Sequence, residues 1–462
     1  MEITKELCRF VSAISFQSLP EEVVDRVRYL ALDFIAVASR GMLEESSRPV
    51  MQLVQDLGSG RKEAVVIGTT LRLSHEYAAM ANGISSHALE LDDVNNEASH
   101  HPGVVVFPVA LALCEKLGLD ARRLCEAVTA GYEVMVRIGK GAAPVHHYAR
   151  GFHPTGTCGA FGAAAAAARL LSLDEAGTVN ALGIAGSQCS GSMEYLTRGA
   201  WTKRFNPGWA AHAGIIAASL AREGFTGPDT IIEGKNGFLH AHSNSPEPHR
   251  VLEGLGRSFE ILRTSIKPYA CCRYMQSPID GVHKIAQEQH LKPDDGDQME
   301  IGVLKAGFGL VAEPIEAKRN PVGTVDAQFS MPFGAAAAVL YGKVHLEQLT
   351  PDKLTSPDLK SLMQRVRCVQ DPELEKEFPR KWPARVRIFT RDGRRFETFV
   401  EYPRGDPENP LSWDEIIEKF HALAAPVFSD ARRDEIVRRV RGIERDPVGA
   451  LADLLIGDRT AA

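Results

Sequence analysis

Apolar residues recur at helical spacing through the first half of the 462-residue chain. Residues 20–40 carry one at every third or fourth position, begin at Pro20 and end before Gly41, so they predict an amphipathic helix. Similar patterns predict helices over residues 76–89, 104–116, 119–140, 159–171, 175–188 and 208–222. Strand signals before residue 260 are nearly absent, apart from residues 64–67. The first half is therefore predicted to be mostly helical.

One segment, residues 151–171, is almost free of bulky side chains. Three glycines at every third position lead into a run of six alanines: Gly156, Gly159, Gly162 and residues 163–168. Neighbouring helices can approach such a helix closely, so we expect it at the centre of a helical core. Pro154 suits the first helical turn and places His153 at the N-terminal end, where the helix dipole and unpaired amides favour an anion. A histidine that only caps or packs is the alternative.

The pattern changes near residue 265. Alternating apolar residues predict strands over residues 299–307, 386–390 and 396–402, with an Asp392–Gly393 turn joining the last two. Helical patterns separate them, over residues 277–289, 332–341 and 358–366. The segment 404–410 has two prolines and a glycine and is predicted to be a linker.

Two helices follow that linker. Ser412 and Glu415 form a capping box for a helix ending at Leu423, and residues 431–443 predict a second helix. The pattern therefore divides the chain into three parts. These are an all-helical part over residues 1–264, a smaller α+β domain over residues 265–403 and C-terminal helices over residues 404–462.

Composition narrows the class of protein. Hydrophobic residues make up 44% and charged residues 24%, as in ordinary globular proteins, and the length allows two or three domains. A formal net charge of −6 argues against nucleic acid and anionic membranes as partners. Neither a signal peptide in the first nine residues nor an apolar run of transmembrane length is found, so a cytoplasmic location is expected. The eight cysteines are spread along the chain without paired spacing, which favours reduced thiols over a disulfide framework. No CxxC pair occurs, so an iron–sulfur or structural zinc site has little support.

Acidic residues and histidines are concentrated in residues 87–103. This stretch contains His87, Glu90, Asp92, Asp93, His100 and His101. A carboxylate beside an imidazole is a workable acid–base pair near neutral pH. A solvated loop that binds a metal through its carboxylates is the alternative. Against the metal, the histidines lack a fixed offset from the acids.

Two further stretches add positive charge among aromatic, glycine and proline residues. Residues 201–212 contain Lys203, Arg204, Asn206 and His212; residues 265–274 contain Lys267, Tyr269, Arg273 and Tyr274. Lysine and arginine bind carboxylates, and the confining neighbours suggest pocket walls rather than surface charge. No phosphate-binding glycine loop or GxSxG motif occurs, so nucleotide cofactors and serine hydrolysis are unsupported. Four other histidines are predicted to lie on the surface: His146, His147, His240 and His242.

Taken in order, these motifs resemble the MmgE/PrpD superfamily. The matching segments are residues 87–93 (HALELDD), 101–103 (HPG), 151–162 (GFHPTGTCGAFG), 193–214 (ending TKRFNPGWAAHAG), 267–274 (KPYACCRY) and 326–332 (DAQFSMP). The resemblance implies a large all-helical domain with a smaller α+β lid inserted in it, an active site in the cleft, and a homodimer. It also implies lyase or isomerase chemistry on a small polycarboxylate, with no metal and no cofactor.

The resemblance also implies which residues form the site. Carried over by motif, the catalytic set would be Asp92, His101, His153, Lys203 and Lys267, with Glu90 beside them. Glu90 and three residues of the two positively charged stretches, Asn206, Tyr269 and Arg273, make up the predicted substrate-binding set. Glu90 stands where relatives often have an aspartate, and Asn206 and Gln276 stand where relatives commonly have histidines. The resemblance implies that a cis-aconitate decarboxylase has a tyrosine near the first strand of the lid. The segment 299–312 contains Phe308 but no tyrosine, so on this resemblance decarboxylation of cis-aconitate is not expected.

The interpretation we favour is a dehydratase acting on 2-methylcitrate or a related hydroxy acid. His101 or Asp92 would remove a proton next to a carboxylate, and His153 would protonate the departing hydroxyl. Lys203, Lys267 and Arg273 would bind substrate carboxylates and stabilise the developing charge. An isomerase, epimerase or decarboxylase of the same family, or a silent carboxylate-binding protein, are the alternatives.

Overall fold

A computed structural model describes residues 2–197 and 200–458, without the Thr197 side chain. Residues 198–199, which belong to the motif at 193–214, lie outside the described residues, as do Met1 and 459–462. The chain divides into two compact units, Met1–Thr264 with Ser412–Ala462, and Ser265–Leu411. Helices dominate the chain, so the mainly helical class is confirmed. Among the described residues, no helix has the length and apolar character needed to cross a membrane.

The larger unit begins with a long series of helices. They are α1 (Ile3–Ala13), α2 (Glu21–Gly41), α3 (Ser47–Gly58), α4 (His75–Ser86), α5 (Gly103–Leu117), α6 (Ala121–Gly141), α7 (Pro144–Tyr148), α8 (Pro154–Leu170), α9 (Glu175–Gly186), α10 (Thr202–Arg222), α11 (Phe238–His242) and α12 (His249–Leu252). Its strands are two residues long: β1 (Ala64–Val65), β2 (Arg72–Leu73) and β3 (Val94–Asn95), with β4 (Thr264–Ser265) at the boundary.

Helix α8 lies at the centre of the larger unit, as the sequence predicts. Every residue from Pro154 to Ala168 is buried, and the helix packs against α5, α6, α9 and α10. A Cβ at Gly162 would lie 2.7 Å from Met135 Cβ in α6, and one at Gly214 in α10 would overlap Ala163. The glycines therefore allow the close helix contacts expected from the sequence.

Helix α10 begins six residues before its predicted start at residue 208. The prediction stopped at Pro207, which lies inside the second turn of the observed helix. Pro207 cannot donate to the Lys203 carbonyl, so one helical hydrogen bond is missing, but the helix continues through it. The earlier start places Lys203 and Asn206 on a regular helix.

The smaller unit has α+β structure. Its helices are α13 (Gln276–Glu288), α14 (Lys305–Val311), α15 (Ile315–Arg319), α16 (Thr324–Gln328), α17 (Met331–Tyr341), α18 (Pro351–Leu354) and α19 (Pro357–Gln364). Its strands are β5 (Gly296–Val303), β6 (Val366–Gln370), β7 (Ala384–Thr390) and β8 (Arg395–Val400). They form one sheet in the order β6-β5-β7-β8, in which only the β5–β6 pair is parallel.

Two sequence predictions in this unit were wrong in part. The strand predicted over residues 299–307 ends at Val303, and α14 begins at Lys305. Residue 366 was assigned to a helix but begins β6, whose sequence VRCVQ does not alternate strictly between apolar and polar residues. The hairpin turn at Asp392–Gly393 is confirmed, because Gly393 adopts φ +84° between β7 and β8.

The segment 404–410 belongs to the smaller unit and is not a free linker. The Ile266 amide donates to the Gly405 carbonyl at 2.9 Å, and Ser265 Oγ donates to Asp406 Oδ1 at 2.6 Å. Arg273 also pairs with Asp406. These contacts move the second boundary from residue 403 to residue 411. The larger unit then ends with α20 (Trp413–Ala424), α21 (Asp430–Arg441) and α22 (Val448–Leu454), of which α20 packs on α2.

Candidate active site

The acidic and imidazole-rich stretch forms a buried loop between α4 and α5. Helix α4 ends at Ser86, three residues before its predicted end. His87, Asp92 and Asp93 are 0%, 1% and 4% exposed. Glu90 adopts φ +57°, a left-handed conformation that few residues other than glycine take, and it turns the chain sharply. The loop is therefore an internal structure, not the solvated loop of the alternative interpretation.

One oxygen of Asp92 orients two imidazole rings. Asp92 Oδ2 lies 2.8 Å from His87 Nδ1 and 2.9 Å from His101 Nδ1. A carboxylate oxygen accepts hydrogen bonds, so both rings present an N–H at Nδ1. In their neutral forms both rings then carry a lone pair at Nε2.

Main-chain contacts fix His101 further. Its Nδ1 also donates to the Asp93 carbonyl at 2.6 Å, and its amide donates to Thr155 Oγ1 in α8 at 3.2 Å. The Asp93 carboxyl group accepts from the Tyr132 hydroxyl at 2.6 Å and from the Gly103 amide at 3.0 Å. Burial raises the pKa of Asp93 to about 7. Asp93 therefore serves as an anchor, while His101 keeps a partly accessible ring that is 12% exposed.

His153 stands at the N-terminus of α8, where the sequence places it. Its ring is buried, and Asn206 Nδ2 of α10 donates to its Nδ1 at 3.0 Å. Nδ1 is then the acceptor, and the proton of the neutral ring is on Nε2. Burial, together with His87 and Lys203, holds the pKa of His153 well below its ordinary value. The neutral ring can therefore donate a hydrogen bond but is a poor source of a proton.

Lys203 joins the first turn of α10 to the loop. Its ammonium forms an ion pair with Glu90, and both side chains are largely buried. It also helps to lower the pKa of His87 and of His153, after the larger effect of burial. The His87 and His153 rings themselves stack with their centroids 5.8 Å apart. One cation, two carboxylates and three imidazoles thus converge within the larger unit.

The predicted residues of the smaller unit form a second group. Lys267 is 1% exposed. The Tyr269 hydroxyl donates to Asp280 Oδ1 at 2.6 Å, and Arg273 is paired with Asp406. Gln276 Nε2 donates to the Tyr269 and Cys271 carbonyls at 3.0 and 3.2 Å. Tyr269, Arg273 and Gln276 therefore hold the 267–276 segment together, and substrate binding by Tyr269 and Arg273 stays a prediction.

Two groups of side chains in the described residues have the types and spacing of metal ligands. In the first, His87, Asp92 and His101, both Nδ1 atoms face the carboxylate oxygen at hydrogen-bond distance, so N–H donors account for the arrangement. In the second, Glu63, His75 and Glu76, the Lys116 ammonium already lies 3.2 Å from His75 Nδ1 and 3.7 Å from Glu63. Neither group fits a bound metal.

Sequence reasoning missed one residue of the site and misplaced another histidine. His87 lies in the stretch singled out, but nothing in the sequence shows that its ring would meet Asp92, five residues later. His147 was predicted to lie on the surface, which is wrong. It is 1% exposed, and its Nε2 lies 2.9 Å from Thr157 Oγ1 in α8 because the short helix α7 folds it inward.

Comparison with known proteins agrees with the order of the motifs. The MmgE/PrpD N-terminal domain matches residues 5–251, and the MmgE/PrpD C-terminal domain matches residues 269–442. The cis-aconitate decarboxylase-like protein oryM of Aspergillus oryzae is 28% identical over 99% of this chain and 98% of its own length. A cis-aconitate decarboxylase of Aspergillus terreus is 28% identical, with 98% and 96% covered, and that of Homo sapiens is 25% identical, with 96% and 92% covered. The chain therefore belongs to the MmgE/PrpD family.

Proposed function

We propose that the protein is a metal-independent lyase that removes water from a small hydroxylated di- or tricarboxylate such as 2-methylcitrate. The observation that carries the proposal is the Asp92–His101 pair, in which a buried carboxylate holds an imidazole with its Nε2 lone pair available. Membership in a family whose relatives are named as decarboxylases, which are also lyases, supports the general class.

The first step is removal of a proton from the carbon next to a carboxylate. His101 Nε2 takes this proton, because its Nδ1–H is fixed on Asp92 and on the Asp93 carbonyl. We assign Asp92 the supporting role because its carboxyl group is buried and its Oδ2 accepts from both rings. As the ring becomes an imidazolium, the Asp92 carboxylate stabilises its charge.

The second step is departure of the β-hydroxyl group. The electron pair of the broken C–H bond forms the double bond, the C–O bond breaks, and the hydroxyl leaves as water after taking one proton. Lys203 supplies that proton, because its ammonium is the charged donor beside the three imidazoles. His153, whose pKa lies well below its ordinary value, donates a hydrogen bond from Nε2–H to a substrate oxygen instead. This changes the role assigned to His153 from the sequence.

Lys267 is proposed to bind a substrate carboxylate, as the family resemblance implies, and Tyr269 and Arg273 to shape its surroundings. Replacing Lys267 by Met should then raise KM more than it lowers kcat, since a contact equal in ground and transition states affects binding alone. A fall in kcat with unchanged KM would contradict this role.

Proton NMR of chelator-treated protein in heavy water tests the proposal. The panel contains citrate, methylcitrate, aconitate, tartrate and aspartate-derived acids. Solvent deuterium next to a carboxylate, with loss of water from a hydroxy acid, is the expected result. Loss of water must disappear in Lys203→Met, which lacks the proposed proton donor, and deuterium exchange must disappear when the proposed base His101 is replaced. No exchange with any acid would favour the silent carboxylate-binding protein.

Decarboxylation of cis-aconitate is the second candidate, because the relatives above carry that name. There a C–C bond breaks, carbon dioxide leaves with the loss of one carboxylate, and a proton is added to carbon. The same NMR experiment separates the two reactions, since dehydration keeps every carbon. Deuterium exchange with unchanged composition would indicate the isomerase or epimerase.

A further inference from the structure

Among the described residues, one ring nitrogen of His87 has a hydrogen-bond partner and the other has none. Its side chain is fully buried, and Nδ1 lies 2.8 Å from Asp92 Oδ2. Within the described part of the chain, Nε2 is buried and has no hydrogen-bond partner. Buried polar atoms are nearly always paired, with protein, water or ligand, so one without a protein partner inside a candidate active site marks a position where a bound molecule can supply it.

The chemistry of the missing partner follows from the ring. Because Nδ1 carries the proton that is donated to Asp92, Nε2 of the neutral ring has only a lone pair and accepts. Burial lowers the pKa of His87 to about 4, so the ring is neutral near pH 7. An ionised carboxylate has no proton to donate to this atom. A hydroxyl group does.

The position of the ring places this lone pair among the reactive groups. The His87 centroid lies 4.9 Å from that of His101 and 5.8 Å from that of His153. His87 and His101 also share one oxygen of Asp92. A substrate that presents a carbon-bound proton to His101 therefore brings its neighbouring substituents close to His87.

We infer that His87 Nε2 accepts a hydrogen bond from a substrate hydroxyl group, so that the site selects hydroxy acids over the same acids without the hydroxyl. The inference rests on the proposed function, since it assigns a substrate class to the same site. It makes His87 a specificity-determining residue distinct from His101, which handles the carbon-bound proton.

Matched ligand pairs test this directly. Citrate and tricarballylate differ by one hydroxyl, and so do malate and succinate. We expect wild-type protein to bind the hydroxy acid of at least one pair tenfold or more tighter in calorimetric titrations, about the ratio that one unmade buried hydrogen bond produces. Equal affinities within both pairs, or no binding of either hydroxy acid, would overturn the inference.

Two variants assign the preference to the ring. In His87→Asn the amide nitrogen replaces Nδ1 toward Asp92, but nothing occupies the place of Nε2, so the affinity ratio should fall to near one. His147→Asn is the matched control, because it also removes a buried imidazole from the larger unit but faces Thr157. Its ratio should equal that of wild type. A preference that persists in His87→Asn would contradict the inference.

A measurement on wild-type protein does not depend on the variants folding. In protein labelled with ¹⁵N-histidine, the His87 Nε2 resonance should shift when a hydroxy acid binds and stay in place with its deoxy partner. The outcomes also separate the two proposals. If the protein prefers the hydroxy acids but shows no turnover, the inference stands and the proposed lyase activity is wrong. If it shows turnover but His87→Asn leaves the affinity ratio unchanged, the inference alone is wrong.

Discussion

His101 Nδ1 lies 2.6 Å from the main-chain oxygen of Asp93. A carbonyl oxygen only accepts, so this contact identifies the nitrogen that carries the proton. The reactive lone pair must therefore be at Nε2, and the tautomer is set by the loop backbone as well as by the Asp92 side chain. Loss of the ring nitrogen at the Nε2 position should therefore lower kcat more than loss of the hydrogen bond at Nδ1.

His101→Asn tests which nitrogen reacts. The asparagine amide can still donate to the Asp93 carbonyl, but no group replaces Nε2. We expect kcat to fall by about 10² or more, the usual contribution of a positioned base. Deuterium exchange into substrate should fall in parallel, with an unchanged melting temperature. Exchange at near wild-type rates would exclude His101 as the base.

The contact between His153 and Asn206 predicts an imidazole that stays neutral. Because burial holds the pKa of His153 well below its ordinary value, its ¹⁵N resonances should show the neutral ring at pH 6, with the proton on Nε2. Asn206→Asp places a carboxylate beside Nδ1 and should raise the pKa. Imidazole NMR titration of both proteins measures the change. A protonated ring at pH 6 in wild type would restore His153 as the proton donor.

Much of the helical fold was predictable because it depends on local pattern. The run of small residues in 151–171 predicts a crowded helix, and Pro154 predicts where it begins; both are confirmed. The strand predicted over residues 299–307 was too long for the same reason. A strand and a short helix meet at Leu304, and the apolar pattern continues from one to the other. Residues 404–410 look like a linker, since only the folded chain shows their contacts to Ser265 and Ile266.

The site was predictable as a set of residue types but not as an arrangement. His101, Asp92 and Glu90 share one stretch of sequence, so their proximity follows from the chain. The contact between two rings and one Asp92 oxygen depends on a loop whose Glu90 and Ser99 both have positive φ. The His153–Asn206 contact joins α8 to α10 and needs their packing. These contacts determine which chemical role each residue can take, and the sequence alone does not show them.

The raised pKa of Asp93 predicts a pH-dependent stability. The folded state holds a proton at Asp93 up to about pH 7, whereas the ordinary value is 3.8. This contribution to stability is therefore complete below about pH 4 and is lost as pH rises through 7. An asparagine side chain cannot ionise, so the free energy of unfolding of Asp93→Asn relative to wild type should rise by up to about 1.4 kcal/mol per pH unit across that window. Urea unfolding at pH 5 and pH 8 measures the difference. A constant difference would show that Asp93 is ionised in the folded state.

Because α8 and α10 pack closely, adding a single methyl group between them should lower the stability of the fold. A Cβ at Gly214 would overlap Ala163 and lie 2.5 Å from the Ala164 amide nitrogen, so Gly214→Ala should destabilise the fold by about 1–3 kcal/mol. Gly449→Ala in α22 is the control, because among the described residues no atom outside its own stretch of helix lies within 4 Å of its added Cβ. There the better helix former should stabilise by about 0.5–1 kcal/mol. Denaturant unfolding compares the two variants, and equal effects would show that packing is not the cause.

Lys419 links helix α20 to the buried loop between α4 and α5. Its ammonium donates to Asp33 Oδ1 in α2 at 2.6 Å and to the Leu91 carbonyl at 2.8 Å, one residue before Asp92. Burial raises the pKa of Asp33 even with this partner, so Lys419→Met should leave a carboxyl group that must take up a proton, and should destabilise by about 3–5 kcal/mol. Adding Asp33→Asn should recover part of that loss, since no buried carboxyl group is then left without its partner. Lys419→Met should also lower kcat by removing the contact to Leu91, and the double variant should keep that lower kcat. Denaturant unfolding and initial rates of the two single variants and the double variant test both statements. Additive losses of stability would show that the two side chains are not coupled.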